Sequence, residues 1–422
     1  MGKSVAELGA TRFVGIDWAA EEHAVSVLDE SGRGVMAFTI AHSREGLETL
    51  VNRLAKLGTA GAVPVGVERG DGRLVDRLLE AGHPVVKVSP KAIKAWREAE
   101  VASGAKSDAA DAEVIAEYLR LRQHRLSVVE PFSQATRALR AVVRARDDLV
   151  HQRVATANRL EACLDAYWPG AKRLFCDIES NIALAFLEDY PTPASAARLG
   201  ERRMAAFLHR HGYSGKRSPG ELVERLRGAP AGIAAGPEAE ARRVAMLGYV
   251  AVLRALNRSI KELEGAIAAQ LGEHPDAVIF TSLPRSGRLN AAQMLAEWGD
   301  CRQAYDGPDA VAALAGATPV TKLSGKHREV AFRWSCNKRF RSAITTFAGN
   351  SRHSSPWAAD IYERARARGC DHPHAVRVLT RAWIRVIYRC WLDGRAYDPA
   401  AHGAAIRLEA NVTEIPVEKS AA

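Results

Sequence analysis

The chain has 422 residues, 47 % of them hydrophobic and 26 % charged, which excludes a peptide-sized binder and a wholly disordered protein and leaves room for two or three domains with cores of their own. It contains no run of about eighteen uncharged apolar residues, and the N-terminal MGKSVAELGATRF lacks the apolar core of a signal peptide, so no membrane association is expected and the cytoplasm is the expected location. The balance is basic: 59 Lys and Arg against 49 Asp and Glu give a formal charge of +10, which points to a polyanionic partner. Six cysteines (Cys163, Cys176, Cys301, Cys336, Cys370 and Cys390) show no Cys-x-x-Cys pair. Neither a disulfide framework nor a zinc finger is signalled, and the cysteines are expected to be small buried hydrophobes.

From Arg12 to Arg122 the pattern alternates between strands and helices. Arg12 to Trp18, His23 to Asp29 and Val35 to Ile40 are β-rich runs separated by turn residues, which predicts a three-stranded meander. Ser43 then caps an amphipathic helix carrying Leu47, Leu50, Val51, Leu54 and Leu57. Val63 to Glu68 reads as a buried strand, Leu74 to Glu80 as a helix and Pro84 to Val88 as a strand, with helices from about Pro90 and from Ser107. Three antiparallel strands followed by αβαβα is the order of a ribonuclease-H-like α/β fold, here assigned to residues 10–130.

Residues 131–275 are expected to be a coiled-coil region with a helical insertion. Gln134 to Ala166 is one long helix with Leu139, Val142, Val143, Leu149, Val150, Val154, Leu160 and Leu164 along one side. Leu253, Leu256, Ile260, Leu263, Ile267 and Leu271 repeat at steps of three and four, a coiled-coil seam that pairs antiparallel within the chain or between subunits. The insertion is bounded by Pro191-Thr192-Pro193 and by the Gly/Pro/Ala stretch from Gly228 to Pro237, read as a flexible link. Residues 276–400 form a mainly α C-terminal domain with a short irregular centre from Thr318 to Arg333, and 401–422 form a tail expected to be flexible.

Chemistry is concentrated in four acids. Asp17 ends the first strand, Glu68 ends the fourth, and Asp108 and Asp111 open a helix capped by Ser107. With first and fourth strands adjacent, strand-end carboxylates come together, and an i, i+3 pair on one helix face reaches the same point. Four such carboxylates repel unless a cation intervenes, and Mg²⁺ is the cation that prefers this donor set. Separately, acids in a first helical turn complement the macrodipole, and strand-end acids cap loops. A second basic signal lies between Thr321 and Arg352, where Lys322, Lys326, Arg328, Arg333, Lys338, Arg339 and Arg341 interleave with Phe332, Trp334 and Phe340; it reads as a phosphate-tracking surface or as a solvated face over core aromatics. Among the tryptophans Trp383 and Trp391 fall at core spacing, and Trp334 is the one placed to touch nucleic acid. Cys370-Asp371-His372-Pro373-His374 reads as a loop, not a metal cluster.

Sugar kinases and actin-like ATPases also open on a strand ending Gly-Ile-Asp, but they need a second glycine-rich phosphate loop. Gly66-Val67-Glu68-Arg69-Gly70-Asp71-Gly72 is short and charged, and the meander does not repeat.

Gly15-Ile16-Asp17, Gly66-Val67-Glu68, Lys106-Ser107-Asp108-Ala109-Ala110-Asp111-Ala112, and Ala315-Gly316-Ala317-Thr318-Pro319 leading to Ser324-Gly325 together resemble the transposases of the insertion-sequence one-ten family. The resemblance runs from about Arg12 to Asp398 and is weakest in the central insertion. It implies a RuvC-like domain in which Asp17, Glu68, Asp108 and Asp111 bind Mg²⁺. It also implies a C-terminal domain in which Ser324 attacks a DNA phosphodiester, making a covalent phosphoserine link that a second strand's hydroxyl resolves. The implied partners are the DNA of the element's ends and target, a guide (bridge) RNA, and further copies of the chain as dimers that pair into tetramers with sites assembled from two chains. From the residues alone Ser324-Gly325 is a turn signal; Lys322, Lys326 and Arg328 nearby would attract a phosphate. Where the family has Leu-Pro-Gly-Ile-Gly this chain has Leu283-Pro284-Arg285-Ser286-Gly287, and where the family tends to Ser-Lys-x-Gly it has Ser335-Cys336-Asn337-Lys338-Arg339. The first departure is expected to alter a phosphate-binding hairpin, with Arg285 as a replacement contact. Two other readings stand beside this one: a Holliday-junction-type resolvase or nuclease that uses water and needs no covalent intermediate, and a non-catalytic nucleic-acid scaffold.

Overall fold

In the computed structural model, which describes residues 4–100, 107–129, 132–325, 327–400 and 402, the β-rich runs of the N-terminal third form one five-stranded sheet in the order β3-β2-β1-β4-β5. The strands are β1 (Arg12–Trp18), β2 (Glu22–Asp29), β3 (Gly34–Ala41), β4 (Val65–Val67) and β5 (Val85–Lys87). The first three pair antiparallel, and β4 joins β1, and β5 joins β4, in parallel. Lys106, Lys326, the side chain of Arg328 and the tail from 403 onward lie outside the description.

Strand alternation sends side chains to two helical layers. Val14, Ile16, Val65 and Val67 pack with Leu50 and Leu54 of α1 (Arg44–Leu54) and with Leu74 and Leu78 of α2 (Arg73–Glu80). On the other face Phe13 and Val86 pack with Ile93 of α3 (Pro90–Glu100) and with Ile115 and Leu119 of α4 (Asp108–Arg122). The caps predicted from sequence are present: Ser43 accepts from the Gly46 amide at 3.1 Å and Ser107 from the Ala110 amide at 3.2 Å, each worth about 1 kcal/mol.

The seat of α4 depends on two glycines that face each other in register, Gly15 and Gly66. A Cβ on Gly15 would lie 2.1 Å from the Ala112 carbonyl oxygen and 2.4 Å from the Ala116 nitrogen, and one on Gly66 would lie 2.9 Å from Ile115 Cγ2. Helix backbone therefore rests directly on strand backbone.

Residues Gln134–Glu297 form a compact unit of their own. Its frame is α5 (Gln134–Tyr167) and α11 (Pro237–Glu273), which run antiparallel within the chain: Thr136 bonds His274 at 2.8 Å, Arg146 bonds Glu264 at 2.8 Å and the Cys163 thiol faces the Arg242 carbonyl at 3.8 Å. Val154, expected in the seam, is 49 % exposed. Arg153, beside it, takes the more inward position, ion-paired to Glu179 at 3.1 Å. Between the long helices lie α6 (Pro169–Lys172), α7 (Asn181–Asp189), α8 (Pro193–Ala196), α9 (Glu201–Arg210) and α10 (Pro219–Arg227), gathered on Trp168, Phe186 and Phe207. The Gly228–Pro237 stretch is not the free link its composition suggests, because the Ile233 amide donates to the Tyr167 carbonyl at 2.9 Å. The same unit holds α12 (Ala277–Thr281) and nearly all of α13 (Arg288–Trp298).

C-terminally, α14 (Pro308–Leu314), α15 (Lys338–Ser351), α16 (Pro356–Ala367) and α17 (His372–Asp393) enclose Trp298, Phe340, Phe347, Trp383 and Trp391, all fully buried. The stretch read as irregular is instead an antiparallel hairpin of β6 (Val320–Ser324) and β7 (His327–Ala331). The Cys370–His374 stretch is no loop either; Asp371 caps α17, accepting from the His374 amide at 2.8 Å. Contrary to expectation, Cys176 is exposed and the other five cysteines are half-buried, all of them free thiols. No helix of the described residues is long and apolar enough to cross a membrane.

Replacing Gly15 by Ala is expected to lower the urea midpoint of the N-terminal domain by the equivalent of about 1–3 kcal/mol, whereas Gly34→Ala, which has open space around it, should change it by less than about 0.5 kcal/mol. Equal effects in a urea titration would show that α4 does not depend on the close approach.

Candidate active site

β1 and β4 pair as Val14↔Val65, Gly15↔Gly66 and Ile16↔Val67, so Asp17 and Glu68 are the next residues along two adjacent parallel strands. Side chains two apart on a strand share a face; Asp17 is thus on the Gly15 side, under α4. Along that face Phe13 packs with Leu119 and Gly15 touches Ala112 and Ala116. The helix descends as the strand ascends, which brings the first turn of α4, with Asp108 and Asp111, level with Asp17. All four acids belong to one end of one sheet face.

They are not drawn into a ready cation cage. Asp108 is exposed, while Asp111, 9 % exposed, is gripped by Arg97 of α3, whose Nη1 donates to Oδ1 at 2.6 Å. Among the described residues no group of three or more His, Cys, Asp or Glu is spaced to hold a metal ion. The physical reason is the repulsion that carboxylates exert on one another without a cation; Arg97 supplies the positive charge in this conformation. The donor set itself, carboxylate oxygens with exposed Asp108 free to turn, suits a hard divalent ion. Sequence reading missed Arg97, for which no motif exists.

It also missed the histidines beside Asp17. His23, fully buried, pairs with Trp18 across the ladder, and its Nε2 lies 2.7 Å from His42 Nδ1. Its Nδ1 accepts from the Ala19 amide at 3.4 Å, so Nε2 carries the proton and donates to His42. Burial first, and His42 second, push the His23 imidazole pKa down. Arg69, one residue past Glu68, lies over the Trp18 ring at 4.5 Å.

Ser324 stands on a different element. It ends β6, exposed and directly opposite His327, and Gly325 turns the chain with φ of 56°. Directly opposed residues share a face, so Ser324, His327, Lys322 and Glu329 are on one side of the ribbon and Leu323 and Val330 on the other. Leu323 and Val330 are 73 % and 58 % exposed, which leaves the ribbon with no buried face. Lys322 is ion-paired to Glu329 at 3.4 Å.

The other predicted basic residues divide. Arg333 is turned inward to the Thr318 carbonyl at 3.1 Å, and Arg341 donates to the Arg333 carbonyl. Lys338, Arg339 and Arg341 occupy the start of α15, which has no acid in its first turn, an arrangement of charge that opposes the macrodipole. Trp334 is 78 % exposed, edge-on to Phe332 at 4.9 Å, whereas Trp383 and Trp391 are core.

Between α12 and α13, Arg285 takes φ of 56° and Gly287 φ of 65°. Leu283–Gly287 is thus a left-handed turn with arginine at its first left-handed position, and Arg285 is the non-glycine residue with positive φ among those described.

Residues 14–169 match the family model of the IS110 DEDD transposase, and residues 277–363 match the model described as "Transposase IS116/IS110/IS902 family". The chain is 30 % identical over 410 residues to the "Mini-circle putative transposase for IS117" of Streptomyces coelicolor, covering 94 % of this chain and 99 % of that one. This chain belongs to the IS110 transposase family. The transposase is also 28 % identical over 402 residues to the 43.6 kDa protein of insertion element IS110 of Streptomyces coelicolor (92 % and 95 % covered), and 25 % identical over 399 residues to the 42 kDa protein of insertion element IS900 of Mycobacterium paratuberculosis (93 % and 98 % covered). The first model covers the whole acid end, and the second covers both the Arg285 turn and the Ser324 hairpin.

In this transposase Arg285→Gly is expected to raise stability by about 1 kcal/mol by releasing the left-handed penalty. Thermal melting should show an upward shift; an unchanged or lowered midpoint would mean that the Arg285 side chain compensates for its own backbone.

Proposed function

We propose that this transposase moves its DNA element by strand exchange through a phosphoserine intermediate, with a RuvC-like acid site and a serine site acting together. The observation that carries the reading is the acid end itself: Asp17 and Glu68 in register on adjacent parallel strands, level with the first turn of α4. Asp17, Glu68, Asp108 and Asp111 would hold Mg²⁺, and when bound it supplies charge stabilisation for phosphodiester oxygens. For Asp111 to take part, Arg97 must let go.

The Ser324 oxygen attacks the phosphorus, its proton leaves to a nearby base, and the displaced strand departs as a hydroxyl after taking up a proton. His327, directly opposite across the ladder and on the same face, is the base assigned to that proton. The phosphoserine keeps the bond energy of the diester, so a second strand's hydroxyl reverses the step and frees the serine without a nucleotide cofactor. Exposure of Ser324 at a hairpin tip fits a nucleophile that must reach a large substrate. Acid and serine sites on separate elements fit assembly of complete sites from two chains, as dimers pairing into tetramers, with the α5–α11 pair as the coiled coil. The cation-rich start of α15 fits a polyanion, which the family resemblance divides between DNA and a bridge RNA.

Ser324→Ala is expected to abolish the covalent protein–DNA adduct, a loss of at least about 10³-fold, while leaving RNA retention intact. Asp17→Ala should abolish recombination by a similar factor. Denaturing gels of labelled element ends read both. Full adduct formation by Ser324→Ala would refute the nucleophile, and free phosphate ends without any adduct would favour hydrolysis by a resolvase. Protein purified from cells carrying the flanking DNA should bring a discrete structured RNA from the element's own end; random cellular RNA would remove the guide from the reading.

A further inference from the structure

The geometry points to a second phosphate site, distinct from the acid end and from Ser324, at the root of the β6–β7 hairpin. A cavity of about 450 Å³ opens between the chain leaving β7 and helices α15 and α17, and no Asp or Glu lines it. Three of its lining residues are arginines. Arg341 and Arg377 both lie against the Phe332 ring, with guanidinium carbons 4.5 Å and 4.9 Å from its centre, and Arg352 lies over Tyr362 at 4.6 Å. None of the three has a carboxylate partner among the described residues.

This differs from the rest of the α17 surface, where Arg381 is paired with Asp309 at 3.1 Å and Arg389 with Asp393 at 2.9 Å. Two guanidiniums held on one ring and lining one cavity repel each other, and the ring's quadrupole offsets only part of that. An anion in the cavity reduces the repulsion and gains charge-assisted hydrogen bonds from the arginines that line it. Arg341 is also fixed in place: its Nη2 donates to the Arg333 carbonyl, and it fills the space that Gly316 leaves, where a Cβ would lie 2.3 Å from Nη2. Thr346 and Asn350 add uncharged donors at the rim.

The ligand is a phosphodiester of the DNA strand that reaches Ser324, an assignment that rests on the proposed function. Phe332 follows β7 directly, and β6 carries the chain from the cavity's edge to Ser324 in five residues, about 14 Å at strand rise. At about 3.4 Å per phosphate along one strand of a duplex, the gripped phosphate is about four nucleotides from the one attacked. The site thus anchors the strand at a set distance and supplies no chemistry.

The test is equilibrium binding of the full-length protein to a fluorescein-labelled DNA duplex of about 20 base pairs, followed by anisotropy across a salt series, with a single-stranded RNA of equal length as the second arm. Arg377→Ala and the shape-keeping Arg377→Gln should each weaken DNA binding about fivefold and lower the log–log salt slope by about one. Arg389→Ala on the same helix, already paired, should change neither. Unchanged affinity and slope in both Arg377 variants, or a loss confined to the RNA arm, would overturn the assignment. The anchor is read as affinity and salt slope and the serine chemistry as covalent adduct, so failure of the serine chemistry and failure of this anchor are read separately.

Discussion

Everything proposed for the acid end hangs on one close approach, the backbone of α4 against the backbone of β1 at Gly15. Without a Cβ there, the helix axis comes down far enough for its first turn to reach the level of Asp17. Any larger residue would lift Asp108 and Asp111 together, since both ride on the same rigid turn. The four carboxylates are therefore placed by packing, not by attraction to one another. That matters because their mutual attraction has the wrong sign, and the α/β layers must supply the stability that holds them near. Apolar residues on both sheet faces do so, with Phe13 and Ile16 among the largest fully buried side chains.

The transposase carries charge of both signs in separate concentrations. At the acid end Asp111 is ion-paired to Arg97 at 2.6 Å, the contact that the proposed metal site would have to displace. The start of α15 has no acid in its first turn, and the cavity behind Phe332 is lined by three arginines and no acid. The proposed strand exchange would draw on both kinds of surroundings, basic groups to hold the strand and acids with a cation to stabilise the reacting oxygens. The exposed ribbon with Ser324 at its tip lies in the positive half of that division.

Much of this was legible in the sequence where a buried face imposes a period. All five strands of the sheet and the caps Ser43 and Ser107 are readable because alternation and capping chemistry leave residue-level traces. The β6–β7 hairpin was not, because neither of its faces is buried; Leu323 and Val330 point to solvent and give no alternation against a core. Val154 misled for the opposite reason, as an apolar residue at helical spacing whose place in the seam is taken by Arg153. Among site residues, Asp17 and Glu68 follow from strand ends, and Ser324 follows only from family resemblance, since a Ser-Gly pair is a turn on physical grounds. Arg97, His23 and Arg377 are separated in sequence from the groups they meet, and contacts of that kind leave no local pattern. The absent glycine at Arg285 was visible, but that the Arg285 backbone is left-handed was not.

The middle unit has a property of another kind. Its chain goes out along α5 and returns along α11, and the Thr136–His274 bond ties the outgoing start to the returning end. The 34 residues of α5 make an arm about 51 Å long, with the aromatic helices clustered far from that tie. Adding or removing matched turns from both helices would lengthen or shorten the arm while leaving its root untouched. The span of the arm can thus change by whole turns while the packing at its root stays the same, so that its length and its residue identities are separate properties of the fold.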